Sequence, residues 1–324
     1  MPPSLAGSDV ELPGDIDVGS DEVSLPPSLA GSDMELPGDI DGDSNLSAPE
    51  LPPAVSSPGF DGQSEASSSN IDLPMDIEFS DVEDGRLESV PAGRVPSPSE
   101  AKHLTGSHLL AEFYSVPRVS RALDLACLLA FDIHTGWDFA QESMRQLSIW
   151  LLHTLSIHLL MLSPPCTAFS QLQIMWNYPR MDTARANQIW DRDMELLEHS
   201  MRCACVQGSL GRAWCFEHPE RAESWKTKTV ADVRALPGAL EVVFDQCMVG
   251  LQTPISRIPM RKRTRLLTNS PLIVAAFSGR LCNRSHHHRI IHGSEGGIKL
   301  AKWAQTYPDD MVQILADCAR KIAP

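Results

Sequence analysis

Beyond residue 105 the sequence alternates short apolar runs with longer stretches of helical periodicity, and this alternation restricts the fold more than any other feature. The apolar runs are Leu110–Tyr114, Leu128–Ile133, His158–Leu162, Arg212–Glu217, Glu241–Gln246 and Thr264–Asn269. Helical patterns fall between them near Ala140–Leu152, Thr183–Val206 and Thr229–Leu236. A last one, Asp309–Ile322, sets Val312, Leu315, Ala319 and Ile322 at helical spacing. Strands alternating with helices predict an α/β domain over 105–324. Its sheet should be doubly wound and mostly parallel, Rossmann-like, with helices on both faces. In such a sheet ligands bind at the carboxyl ends of the strands, so polar residues just past those ends are the ones to weigh.

Residues 1–104 are different in kind. The first 100 residues hold 22 acidic side chains against Arg86 and Arg94, whereas 101–324 hold 20 acidic and 25 basic ones. The net charge of −15 therefore comes from the N-terminal segment, and the remainder is mildly basic. The segment is rich in Pro, Ser, Gly and Asp, with Phe60 and Phe79 as its aromatics. So little apolar area does not offset the entropy of ordering the chain, and a disordered acidic tail is the expectation. It carries a 16-residue duplication: Pro2–Asp17 and Pro26–Asp41 differ only at Val10 and Met34. The units are too polar to stack as a solenoid. They read as a duplicated linker or as a repeated acidic-hydrophobic docking motif for an unidentified protein partner.

The eight cysteines all lie beyond residue 100, scattered rather than paired, as reduced intracellular thiols are. No basic-then-apolar segment opens the chain, and the most apolar stretch, Leu147–Leu162, is short for a bilayer. A soluble protein of nucleus or cytoplasm, without membrane contact, is expected.

The sharpest motif is Ser163-Pro164-Pro165-Cys166-Thr167-Ala168-Phe169-Ser170, directly after an apolar run. Two prolines fix the backbone, so Cys166 sits in a stiff turn at a sheet end. Alone, the motif reads equally well as a structural cysteine. The next strand-like run ends in Glu217-His218-Pro219. Together these residues resemble the DNA cytosine-5 methyltransferase family. There, Pro-Pro-Cys is followed by a short segment and Phe-Ser, and a glutamate ends the next strand. Thr167 stands where the family usually has Gln, and His218-Pro219 where it has Asn-Val. The resemblance implies a class I methyltransferase fold. It also implies that the Cys166 thiolate adds to cytosine C6 while Glu217 stabilises protonation at N3, which makes C5 nucleophilic enough to take a methyl group. An amino-methylase would place an aromatic where Cys166 stands.

The resemblance further implies S-adenosylmethionine as cofactor. Glu112-Phe113-Tyr114-Ser115 resembles the strand and turn that open the donor pocket. Asp132 ends the next run, where a carboxylate is suited to ribose hydroxyls. Asp138 would hold the adenine amine with Trp137 or Phe139 against the ring, although Asp138 is equally suited to cap a helix. Glu112, Ser115, Asp132, Trp137, Asp138 and Pro164 form the expected cofactor set. The family's first turn is glycine-rich; here Val116-Pro117-Arg118 stands in it, with no glycine between Glu112 and Thr135. Tyr307-Pro308 and the helix after it are similar to the family's last motif without its Gly-Asn pair.

Arg257, Arg261, Lys262, Arg263 and Arg265 crowd together with no acid among them. Arg261, Lys262, Arg263 and Arg265 are the expected nucleic-acid contacts, through phosphate; a solvated basic loop or a nuclear import signal is the other reading. Cys282, His286, His288 and His292 have zinc-ligand chemistry, but a closed site needs four placed ligands and no paired Cys-x-x-Cys is present, so no metal is expected. The functional expectation is a cytosine-5 methyltransferase-like enzyme acting on DNA, with RNA as the other nucleic acid. The alternative is a catalytically inactive, methylase-like nucleic-acid-binding protein of mobile-element origin.

Overall fold

The computed structural model describes residues 94–124, 129–171 and 173–323. Residues 1–93 of the acidic segment, the repeat included, lie outside the described residues, as do Cys127 and, at the start of the second apolar run, Leu128. Six strands form the central sheet: β1 Ser107–Phe113, β2 Ala130–Phe131, β3 Ser156–Leu162, β4 Ala213–Pro219, β5 Leu240–Asp245 and β6 Arg263–Thr268. Their order is β2-β1-β3-β4-β6-β5. β1 pairs in parallel with β2 and β3, and β3 with β4. β6 runs antiparallel to both of its neighbours, β4 and β5. The fold is therefore α/β with a mostly parallel sheet, and five of the six strands point their carboxyl ends to one edge.

Alternation along the strands divides the core into two layers. Leu110, Leu159, Met161, Cys215 and Leu266 face one side. Ala111, Phe113, Leu160, Leu162, Trp214, Phe216 and Leu267 face the other. Central strands covered on both faces are apolar almost throughout, which is why His158–Leu162 reads as a continuous run. Helices α3 Glu142–Thr154, α4 Thr183–Ser209 and α5 Lys228–Arg234 pack on the second face. On the first lie α2 Val119–Ala122, α6 Pro271–Phe277 and α8 Asp309–Ile322. α8 buries Met311, Val312, Leu315 and Ala319, with Asp309 and Asp310 in its first turn and Arg320 and Lys321 in its last, as the helix dipole favours. A four-residue helix, α7 Leu300–Trp303, precedes it. Among the described residues no helix is long and apolar enough to cross a membrane.

Residues ahead of the expected start at 105 belong to this body. The short helix α1 Pro98–Ala101 begins with a capping box between Ser97 and Glu100. Ala101 and Leu104 are buried in the core, and the Trp137 indole N–H donates to Pro96 O at 3.0 Å. A chain beginning at Gly106 loses all of these contacts, while one beginning at Arg94 keeps them. The first should be less stable than the second by on the order of 3 kcal/mol in denaturant unfolding. Equal stability of the two would show that residues 94–105 add nothing to the fold.

Candidate active site

The Cys166 loop is fixed from several directions. Ser163 N donates to Phe113 O at 3.2 Å, continuing the β1–β3 ladder. Ala168 N donates to the buried carboxylate of Asp193 on α4 at 3.0 Å. Tyr178 OH donates to Ala168 O at 3.2 Å, and Glu223 N to Phe169 O at 2.9 Å. The Phe169 ring is buried edge-on to Trp190. Cys166 itself is half-buried. Burial pushes its thiol above the ordinary range, Lys262 pulls it back, and Glu217 pushes it up again. At neutral pH the resting residue is therefore a thiol, and Lys262, Glu217 and, more weakly, Asp193 are the charges that bear on it.

Glu217 lies on β4 beside that loop, buried. One carboxylate oxygen accepts from Tyr307 OH at 3.4 Å; the other, Oε1, is buried without a partner. Tyr307 also meets the Ser163 hydroxyl, so Ser163, Tyr307 and Glu217 form one chain of polar groups. Burial holds the Tyr307 phenol well above its usual value, which leaves it a neutral donor. An unmatched buried oxygen costs roughly 1–3 kcal/mol, a cost that a ligand donor would remove.

His218, the residue after Glu217, ties β4 to the loop. Pro164 O is an acceptor only, so Nε2 must carry the proton it donates at 3.0 Å. Nδ1 is then the acceptor for the Ser224 hydroxyl at 2.7 Å. Burial lowers the imidazole from 6.5 to about 4. His218, Asp193 and Tyr307 were not among the expected site residues. The departure from Asn-Val at 218–219 and the Tyr307-Pro308 pair were the available signals.

The expected cofactor residues are mostly engaged by the protein itself. The buried Glu112 carboxylate accepts from the backbone N–H groups of Arg118, Val119 and Ser120 and from the Ser120 hydroxyl at 2.6 Å. Burial raises its carboxyl above the ordinary value against the pull of these donors. Trp137 is fully buried and stacked on Phe131, 4.1 Å between ring centroids, with no face open to a ligand. Asp138 accepts from Ala140 N and from the Gln141 side-chain amide in the turn ahead of α3, whose N-cap is Gln141 and not Asp138. Asp132 ends β2 as expected, and its carboxylate caps the turn at His134 N. Ser115 is half-buried in the turn after β1, and Pro164 O is taken by His218. Arg118 ties that turn to the start of α8, donating to Tyr307 O and to Asp309, each at 2.8 Å. A cavity of 360 Å³ lies alongside, lined by Arg118, Gly250, Arg257, Trp303, Tyr307 and Asp310.

Three of the basic residues, Arg261, Arg263 and Arg265, are paired with acids rather than free. Arg263 and Arg265 are on β6, not in a loop, and acids from neighbouring strands meet them. Arg263 holds both oxygens of Asp245 at 3.0 Å, and Arg261 reaches Asp245 at 3.4 Å. Arg265 pairs with Glu220 and Glu241 and lies over the Trp225 ring. Lys262 donates to Ala304 O. Among the histidines, His286 and His288 approach Cys282, and His292 lies outside that group. Cys247, just past β5, joins it. Cys247 carried no signal, because its partners lie far along the chain.

No protein-family model matches the chain, and no curated protein matches it.

The neutral, buried His218 makes stability depend on pH. Its folded value lies below its unfolded one, so the stability it contributes is complete above about 6.5 and is lost as pH falls toward about 4. His218→Gln keeps a donor for Pro164 O but cannot titrate. The stability lost between pH 7 and 4.5 should be smaller in the variant by about 2 kcal/mol. An identical pH dependence in both proteins would show that His218 is not held neutral.

Proposed function

We propose that this domain is a class I methyltransferase-like protein that engages cytosine in DNA, with Cys166 as nucleophile and Glu217 as the group that binds the protonated ring. The observation that carries the reading is the unpartnered, buried carboxylate oxygen of Glu217 beside a cysteine held rigidly at the end of the adjacent strand. The strand order supports it as well. A mostly parallel sheet whose last strand runs antiparallel between β4 and β5 is compatible with a class I methyltransferase sheet, though it has six strands where that sheet has seven.

In this reading the base leaves the stack to reach the loop. Cys166 gives up its thiol proton, its sulfur bonds C6, and the C5–C6 double bond opens. The ring takes a proton at N3, where Glu217 accepts the hydrogen bond. Tyr307 keeps Glu217 in place through its second oxygen. Lys262 favours the thiolate. S-adenosylmethionine, when bound, would supply the methyl group to C5. The donor side fits that group less well than the base side fits cytosine. Glu112 is occupied by its own turn, Trp137 lies in the core, and Pro164 O is taken.

That arrangement favours a second reading, a methylase-like module that binds nucleic acid without transferring a methyl group. One experiment divides the two. DNA carrying 5-fluorocytosine cannot lose the C5 substituent that frees the enzyme. With S-adenosylmethionine present it should form a denaturant-stable adduct with the wild-type chain, and no adduct with Cys166→Ser. S-adenosylmethionine should also raise the melting temperature, since it binds the native state alone. DNA binding with neither adduct nor melting shift would establish the second reading. A melting shift with no adduct on DNA or RNA would remove cytosine-5 chemistry.

A further inference from the structure

A group of side chains outside the site just described has the composition and spacing of a metal centre. We infer that Cys247, Cys282, His286 and His288 bind one zinc ion as a closed, structural Cys2His2 site. The inference does not depend on the methyltransferase reading.

The four ligand atoms lie within 4.8 Å of one another. Cys282 Sγ is 3.6 Å from His286 Nε2 and 3.4 Å from His288 Nε2. With Zn–S near 2.3 Å and Zn–N near 2.0 Å, a tetrahedral ion sets sulfur and nitrogen about 3.5 Å apart. Both distances agree with that edge. A single thiol proton can serve one of the two imidazoles; an ion serves both. Sulfur and imidazole together select zinc over calcium or magnesium, which prefer oxygen.

The local backbone is arranged as a thiolate ligand requires. Arg284 N donates to Cys282 Sγ at 3.3 Å, and the positive φ of 61° at Arg284 turns the chain that follows toward His286. Cys282 N donates to Asp245 at 2.9 Å, which fixes the ligand's backbone to the end of β5, two residues before Cys247. His286 and His288 are both half-buried and turned to the same group, whereas His287 between them is exposed.

The segment between α6 and α7 also needs such an anchor. Over residues 278–299 its regular structure is a pair of two-residue strands, Ser294–Glu295 and Ile298–Lys299. Leu281 and Ile290 are exposed, and the adjoining small core is Leu251, Met260, Leu300 and Ala304 with Ile291 against it. A long irregular segment with so little apolar burial is held to one path by a cross-link more readily than by packing. All four positions are filled by protein, so the ion would be structural and not an open catalytic site. Binding releases the two thiol protons. The ion would fix the end of β5, and with it Asp245, which holds Arg261 and Arg263 on either side of Lys262.

The test uses the full chain. Elemental analysis of the purified, reduced protein should find about one zinc per chain. Replacement by cobalt(II) should give the intense visible bands of a tetrahedral ion and sulfur-to-cobalt charge transfer from two thiolates. This spectrum reads the site in the wild type, without any variant that could misfold. Cys247→Ser and His288→Ala should each weaken zinc binding by about a hundredfold or more, while His287→Ala and His292→Ala leave it unchanged. No tightly held zinc or cobalt, a weak octahedral spectrum, or a metal retained at full affinity in Cys247→Ser would overturn the assignment. So would loss of metal in His292→Ala, or a Cys247–Cys282 disulfide in its place.

Discussion

The imidazole of His218, buried between Pro164 O and the Ser224 hydroxyl, is the interaction on which the Cys166 site rests. Both of its partners are buried with it, so a bond lost here leaves a buried polar group unsatisfied. A carbonyl can only accept, which fixes the tautomer, and the tautomer fixes which neighbour takes the other nitrogen. One side chain thereby sets the distance between the end of β4 and the loop after β3. Asp193 from α4 does the same for the loop's far side through Ala168 N. With the loop held at both ends, the Cys166 thiol and the open oxygen of Glu217 keep a constant relation, which suits a group that must recognise a planar ring.

The other half of the same sheet edge is built differently. Where a glycine-rich turn would leave room for a ligand against backbone, the Glu112 carboxylate gathers the amides of Arg118, Val119 and Ser120. This solves the turn's own problem, the unpaired N–H groups at the start of α2, with a side chain from β1. Arg118 then ties the turn to Tyr307 and Asp309. Tyr307 thus joins both halves: its carbonyl receives Arg118, and its hydroxyl reaches Ser163 and Glu217.

Much of the fold was legible because buried parallel strands leave continuous apolar runs and surface helices leave periodic ones. Each of the six runs holds a strand, although β2 takes up only Ala130–Phe131 of the second, and the four helical patterns are α3, α4, α5 and α8. The order of the strands, with β6 reversed between β4 and β5, has no local trace, since pairing is decided by packing. Site residues divide in the same way. Of the candidates, Cys166 and Glu217 stand out in the sequence because a rigid turn and a strand end carry them. Trp137 was misread because stacking on Phe131 is a tertiary fact. Arg263 and Arg265 looked unopposed because their acids, Asp245, Glu220 and Glu241, come from other segments. Cys247 was silent for the same reason: its partners arrive only once β5 and the segment after α6 meet.

The central claim is that Cys166 and Glu217 act together on a cytosine ring, and it can be tested without any donor. Addition of the thiolate to C6 with protonation at N3 makes C5 exchange its hydrogen with water. Release of tritium from DNA labelled at cytosine C5 measures that step directly. The account predicts release by the wild-type chain without S-adenosylmethionine, none with Cys166→Ser, and slower release with Glu217→Gln. Retention of the label by wild-type protein that binds the DNA, or release unchanged in Cys166→Ser, would contradict it.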